Sequence, residues 1–166
     1  MNLLEITEPI LFILVGLPGS GKSTWVRLCL ATYPDKNFKI ISSDDIIEEL
    51  GTKDGLSYAE AWLKHKDDAA KEMNRRANIA FKDKNNIIWD QTNLTLNSRR
   101  SKLSRANGYK KFAVVFQPDQ IERIRRFNQR LNETGKIIPP EIIAKMTSDF
   151  VMPTISEGFD KIIILR

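Results

Sequence analysis

Gly16-Leu17-Pro18-Gly19-Ser20-Gly21-Lys22-Ser23 places glycines, a lysine and a hydroxyl at the spacing G-x-x-x-x-G-K-[ST], directly after the apolar run Ile10 to Val15. Glycines let a backbone curl so that successive N–H groups point inward, and a helix opening near Gly21 would aim its positive dipole end into the same hollow. Phosphate is the ligand such a hollow suits. Lys22 would reach the terminal phosphates of a nucleoside triphosphate such as ATP, and the Ser23 hydroxyl would ligate the magnesium that travels with it. Gly16, Pro18, Gly19, Ser20, Gly21, Lys22, Ser23 and Thr24 are therefore the expected nucleotide-binding residues. A glycine-rich turn between any strand and helix would explain the glycines but not the Lys-Ser ending.

Two further segments end apolar runs in carboxylates: Ser42-Ser43-Asp44-Asp45 and Asp90-Gln91-Thr92-Asn93. Transfer of a γ-phosphoryl group needs charge neutralisation, in-line positioning and a carboxylate to take the acceptor hydroxyl's proton. Asp44 is the candidate base; a serine followed by two acids is also how a helix start is capped and its dipole satisfied. Asp90 ends a β-rich run in the core, where a carboxylate needs magnesium, the loop or hydrogen-bond donors as company, like the carboxylate of a Walker B strand. Thr92 and Asn93 either orient an acceptor or build an Asx-type turn. Arg123, Arg126 and Arg130 share one face of a helix whose adjoining face carries Ile124, Phe127 and Leu131. With Gly135 as a hinge they read as a helical lid over about 123–140 that brings arginine to the transferring phosphate, or as a solvated basic face. Arg99, Arg100, Lys102 and Arg105 form a second basic cluster, suited to a polynucleotide backbone or to plain surface solvation.

These residues need a scaffold that gathers strand ends. The 166 residues, 42% of them hydrophobic, suffice for one domain with a core and not for two. Strands are expected at Ile10 to Val15, Phe38 to Ser42, Asn86 to Asp90, Lys111 to Phe116 and Phe159 to Leu165, alternating with helical patterns. Ser57-Tyr58-Ala59-Glu60 is a capping box, followed by Trp62, Ala69, Met73, Ala77 and Ala80 at the spacing of a buried stripe. A helix from Thr95 is expected to stop at Asn107-Gly108; two more are expected from Asp119 to Glu133 and from Pro140 to Phe150. The fold class is α/β: a three-layer αβα sandwich with a five-stranded, mainly parallel sheet, whose ligands collect at the carboxyl ends of the strands. The net charge of +5 suits an anionic partner, nucleic acid included, or a lysine-rich soluble surface. Cys29, the single cysteine, reads as a small core filler, and with no membrane-length apolar run and no basic start at Met1 the expected compartment is the reducing cytoplasm, with no membrane partner.

With these residues in view, the chain resembles, from about Ile10 to Leu165, the kinase domain of polynucleotide 5′-hydroxyl kinases of the phage and animal repair type, a branch of the P-loop kinase clan. The resemblance rests on Gly-Leu-Pro-Gly-Ser-Gly-Lys-Ser-Thr-Trp at 16 to 25, Ser-Asp-Asp at 43 to 45, Asp-Gln-Thr-Asn-Leu at 90 to 94, Arg-x-x-x-Arg at 126 to 130 and Pro-Thr-Ile-Ser-Glu-Gly-Phe-Asp at 153 to 160. It implies transfer of the ATP γ-phosphate to a 5′-hydroxyl end of DNA or RNA with Mg2+. Lys22 and Ser23 would bind ATP and metal, Asp44 would be the general base, and Arg126 and Arg130 the lid arginines, with Arg130 at the transition state. Asp90, also a metal candidate, joins Thr92, Asn93 and Arg99 around the acceptor. Two departures fall on the acceptor side: the family's arginine three residues after the base, which helps hold the acceptor's phosphate, is Ile47 here, and the residue before the base is Ser43. Acceptor contacts would then come from Arg99, Arg100 or Lys53. A kinase of small hydroxyl compounds and a non-catalytic nucleotide-dependent binding module are the competing readings, and any end-healing phosphatase or ligase would be a separate protein.

Overall fold

The computed structural model describes residues 3–118, 121–122, 125–126 and 138–166. All six residues of β1 (Ile10–Val15) are buried, because the strand lies at the centre of a sheet covered on both faces. Successive side chains of a strand point to opposite faces. Leu11, Ile13 and Val15 accordingly enter one core cluster, and Ile10, Phe12 and Leu14 the other. On the second face packs α1 (Lys22–Thr32), through Val26 and Cys29. The first face is covered by α2 (Ser43–Asp54) and α3 (Tyr58–Lys82), which follow β2 (Lys39–Ile41) and lead into β3 (Ile87–Trp89). Then come α4 (Leu96–Leu103), β4 (Lys110–Phe116), α5 (Pro140–Ser148) and β5 (Lys161–Leu165).

The sheet order is β2-β3-β1-β4-β5, and every pairing is parallel, so all five strands present their carboxyl ends to one rim. This is the expected three-layer sandwich, with a sheet that is wholly rather than mainly parallel. Burial pushes the Cys29 thiol up to about 11, which fits a core filler. Among the described residues no helix is long and apolar enough to cross a membrane.

Three expectations need correction. The inward stripe of α3 contains Ala61 in place of Trp62: a β-carbon on Gly51 would fall 2.6 Å from the Ala61 β-carbon, so α2 and α3 cross too closely for an indole. Trp62 is exposed, with Lys66 Nζ 5.0 Å from its ring centre. The helix after β3 ends at Leu103 with Ser104 as its C-cap, and Gly108, at φ 75°, turns the loop before β4 instead. The segment after β2 is a full helix, α2, where the sequence suggested only a capped start. Of the helix expected over 119–133, Ile121, Glu122, Arg125 and Arg126 are described and helical, while Arg123, Arg130 and Gly135 lie outside the described residues.

Candidate active site

The phosphate loop begins where β1 ends. Gly16 donates its N–H to the Thr92 carbonyl at 3.0 Å, tying the loop to the segment after β3. A β-carbon on Gly16 would strike Ser20 Oγ at 2.7 Å and Phe116 Cβ at 3.0 Å, so only glycine lets the loop pass this close to β4. Gly19 and Gly21 hold φ of 76° and 102°, the left-handed region glycine visits without penalty. Gly21 is the N-cap of α1 and offers no side-chain cap, so the first-turn N–H groups and the dipole face the loop's hollow. Lys22 Nζ folds back over it, donating to the carbonyls of Gly16 at 2.9 Å and Leu17 at 3.0 Å. Uncapped donors, a lysine over them and exposed Ser23 and Thr24 beside them fit a triphosphate. Among the described residues there is no cluster of three or more metal-ligating side chains. Ser23, exposed at the start of α1, and Asp90 are the residues that could hold a magnesium ion carried by phosphate oxygens.

At the end of β2 the capping arrangement expected of a serine followed by two acids is present. Ser42 caps α2, its Oγ accepting from the Asp45 N–H at 3.2 Å. Asp44 stands exposed in the helix's first turn, on the same rim as the loop. Ser43 Oγ accepts from Gln91 Nε2 at 3.1 Å, and Gln91 Oε1 accepts from the Trp89 indole at 2.9 Å. Gln91 thereby locks the rim ends of β2 and β3 together, a role its sequence neighbours gave no sign of. Ile47, where the family resemblance expects an arginine, is 3% exposed and packs in the core.

Asp90 is half-buried at the end of β3, its N–H donating to the Ile41 carbonyl at 2.9 Å. Asn93 takes the turn role and not the acceptor role: at φ 47° and buried, its Nδ2 donates to the carbonyls of Leu14, Trp89 and Gln91. Thr92 is half-buried in the same turn and supplies the carbonyl that Gly16 uses.

Arg99 is likewise no acceptor ligand. It is fully buried, paired at 2.7 Å through both Nε and Nη2 with the Glu157 carboxylate, while Nη1 donates to the carbonyls of Asn93, Leu94 and Val151. The basic cluster on α4 thus divides. Lys102 is buried, donating to the Ser98 carbonyl at 2.8 Å beside the Trp89 ring; Arg105 lies over Phe81 and Trp89. Arg100 alone is exposed, and Lys53 sits at the far end of α2 from Asp44. Burial pushes Lys102 down to about 8 from 10.5. Between those values the unfolded chain keeps the proton that the folded chain has released, so stability should rise with pH from about 8 towards 10.5. Lys102→Met should remove that rise and be the more stable protein below pH 8, by on the order of 1–3 kcal/mol in urea unfolding.

Arg126 reaches the loop from the other side. Its Nη1 lies 3.4 Å from the Ser20 carbonyl and 2.8 Å from the point a β-carbon on Gly21 would occupy. Glu122, one turn earlier, accepts from Arg126 Nε at 2.6 Å, and the guanidinium groups of Arg125 and Arg126 hold its carboxyl down to about 2. Its i,i+4 spacing to Arg126 was the signal that could have found this contact.

A family profile described as an AAA domain matches residues 11–153. Heterogeneous nuclear ribonucleoprotein U-like protein 2, of mouse and of human, is 27% identical over 161 residues, 95% of this chain but 22% and 21% of those proteins. The chain therefore spans about a fifth of the length of these curated relatives. Among solved structures, one from the PezAT chromosomal toxin–antitoxin system of Streptococcus pneumoniae superposes with a TM-score of 0.73 at 19% identity, covering 97% of this chain and 68% of that one. A chain of the Pnkp1/Rnl/Hen1 RNA repair complex gives a TM-score of 0.65 at 27% identity, covering 90% of this chain and 46% of its own.

Proposed function

The chain belongs to the AAA domain family and carries a P-loop kinase-type fold, and on that premise we propose that it moves the γ-phosphate of ATP to the 5′-hydroxyl end of DNA or RNA. The observation that carries the reading is the phosphate loop itself, Lys22 folded over the uncapped start of α1, with Asp44 exposed on the same rim. Lys22 and the α1 N-terminus hold the donor phosphates, and Ser23 and Asp90 would hold magnesium, which when bound neutralises phosphate charge. Asp44 takes the proton of the attacking hydroxyl. Arg126, with Arg130 one turn further along the expected helix, offsets charge on the group in transfer. The 27% identity to a chain of an RNA repair complex supports a nucleic-acid acceptor. We place the reaction in the cytoplasm, with any end-healing phosphatase or ligase as a separate partner.

A kinase of small hydroxyl compounds is the second reading, favoured by one observation: Ile47 and Arg99, the positions from which an acceptor phosphate would be held, are both buried. The two separate when γ-labelled ATP and magnesium are offered with 5′-hydroxyl DNA, 5′-hydroxyl RNA and nucleosides in parallel. Labelled oligonucleotide ends are expected; labelled nucleosides with unlabelled oligonucleotides would transfer the assignment to the small-molecule reading.

A further inference from the structure

Asp44 and Asp90 follow the ends of neighbouring strands, so what joins those ends bears on where the two carboxylates stand. The backbone ladder of β2 and β3 closes with the Asp90 N–H donating to the Ile41 carbonyl at 2.9 Å. Past that bond one chain enters α2 and the other the turn at Asn93, and a side chain takes over the pairing. Gln91 Nε2 donates to Ser43 Oγ at 3.1 Å, and Ser43 is the first residue of α2, directly before Asp44.

The amide is held so that it cannot turn over. An indole N–H only donates, so the Gln91 atom 2.9 Å from Trp89 Nε1 must be the carbonyl oxygen, and the NH2 group then faces Ser43. Trp89 is itself fixed in the core: it is 2% exposed, with the Phe81 ring centre 6.3 Å away and Lys102 Nζ 5.2 Å from its ring centre. The Gln91 backbone is pinned as well, its carbonyl accepting from Asn93 Nδ2 at 3.2 Å. A core aromatic, a half-buried amide and the first turn of α2 thus form one chain of contacts.

The outer end of that chain is where precision matters. The first turn of a helix is the part least held by its own hydrogen bonds. Here the Ser42 cap engages Asp45, and Gln91 engages Ser43, so both sequence neighbours of Asp44 are tied. A general base must stand within about 2.6–3.2 Å of the proton it takes, and a displacement of about 1 Å costs on the order of 10² in rate.

Resting on the phosphotransferase reading above, we propose that Gln91 is a positioning residue: its amide, anchored on the Trp89 indole, holds Ser43 and so sets where the Asp44 carboxylate stands relative to the phosphate loop. Gln91 acts through Ser43 and not on the substrate. Donor binding belongs to Lys22 and the start of α1, so the clasp bears on turnover rather than on ATP affinity.

Ser43→Ala removes the outer bond and leaves Gln91 on its indole; Gln91→Met removes both bonds. Each variant, its fold confirmed by far-UV spectrum, should lower kcat with the acceptor that takes label by about 10–100-fold, with KM for ATP within about threefold of wild type. Ser43→Thr keeps the hydroxyl and should recover kcat to within about threefold. Gln91→Met added to Ser43→Ala should cost less than about threefold more, because the contact is already broken. Independently of activity, the Asp45 N–H should exchange with solvent about tenfold faster in both single variants by nuclear magnetic resonance, while the amides of β1 keep their wild-type rates. Wild-type kcat in Ser43→Ala, a KM for ATP that rises as far as kcat falls, no recovery in Ser43→Thr, full additivity in the double variant, or unchanged Asp45 exchange would each overturn the proposal. If the wild-type protein labels no acceptor, the phosphotransferase reading fails, and Asp45 exchange alone decides the clasp: faster exchange upholds it and an unchanged rate rejects it.

Discussion

Asp44→Asn should lower kcat for phosphoryl transfer by about 10²–10⁴ while leaving ATP affinity within about threefold. The size follows from the role: a base taking the acceptor's proton acts in the transition state and contributes little to ground-state binding of the donor. A cap or dipole residue behaves differently. An acid in the first turn of α2 favours the helix by about 0.3–1 kcal/mol, so its loss would lower stability slightly and spare turnover. Because Ser42 already accepts from the Asp45 N–H, the asparagine variant should retain its helix, and kinetics and urea unfolding together separate the two roles.

The largest stability effect is expected at Arg99. Its guanidinium is fully buried and makes two 2.7 Å bonds to Glu157 and three more to backbone carbonyls. Removing one member of a buried pair strands the other charge, at a cost of about 3–5 kcal/mol. Arg99→Ala should therefore lose about that much in urea unfolding, a large share of the roughly 5–15 kcal/mol that holds a domain together. The Arg99→Ala, Glu157→Ala double variant should lose less than the sum of the singles, because no lone charge remains. Activity should fall through disorder at the rim, since Arg99 joins the segment after β3 to Val151.

The phosphate loop was legible because its chemistry is local: glycine conformations, a lysine and a hydroxyl lie within one turn of chain. The capping box of Ser57 and Glu60 was legible for the same reason and is present in both directions. The role of Arg99 was not. Sequence shows a charge beside other charges, whereas its burial depends on Glu157, 58 residues away. Ala61 and Trp62 are neighbours in sequence but point about 100° apart on the helix, and only the close crossing at Gly51 decides which faces inward. Asn93 admitted two readings, and the outcome turned on partners, the three carbonyls around its Nδ2.

The central claim is that bound ATP is a phosphoryl donor to a 5′-hydroxyl. Its most direct measurement is a single turnover of γ-labelled ATP with magnesium and a 5′-hydroxyl oligoribonucleotide, following where the label goes. Label on the oligonucleotide's 5′ end, removable by phosphatase and absent with Asp44→Asn, is the predicted result. ATP bound tightly with its label retained, or released only as inorganic phosphate, would contradict it.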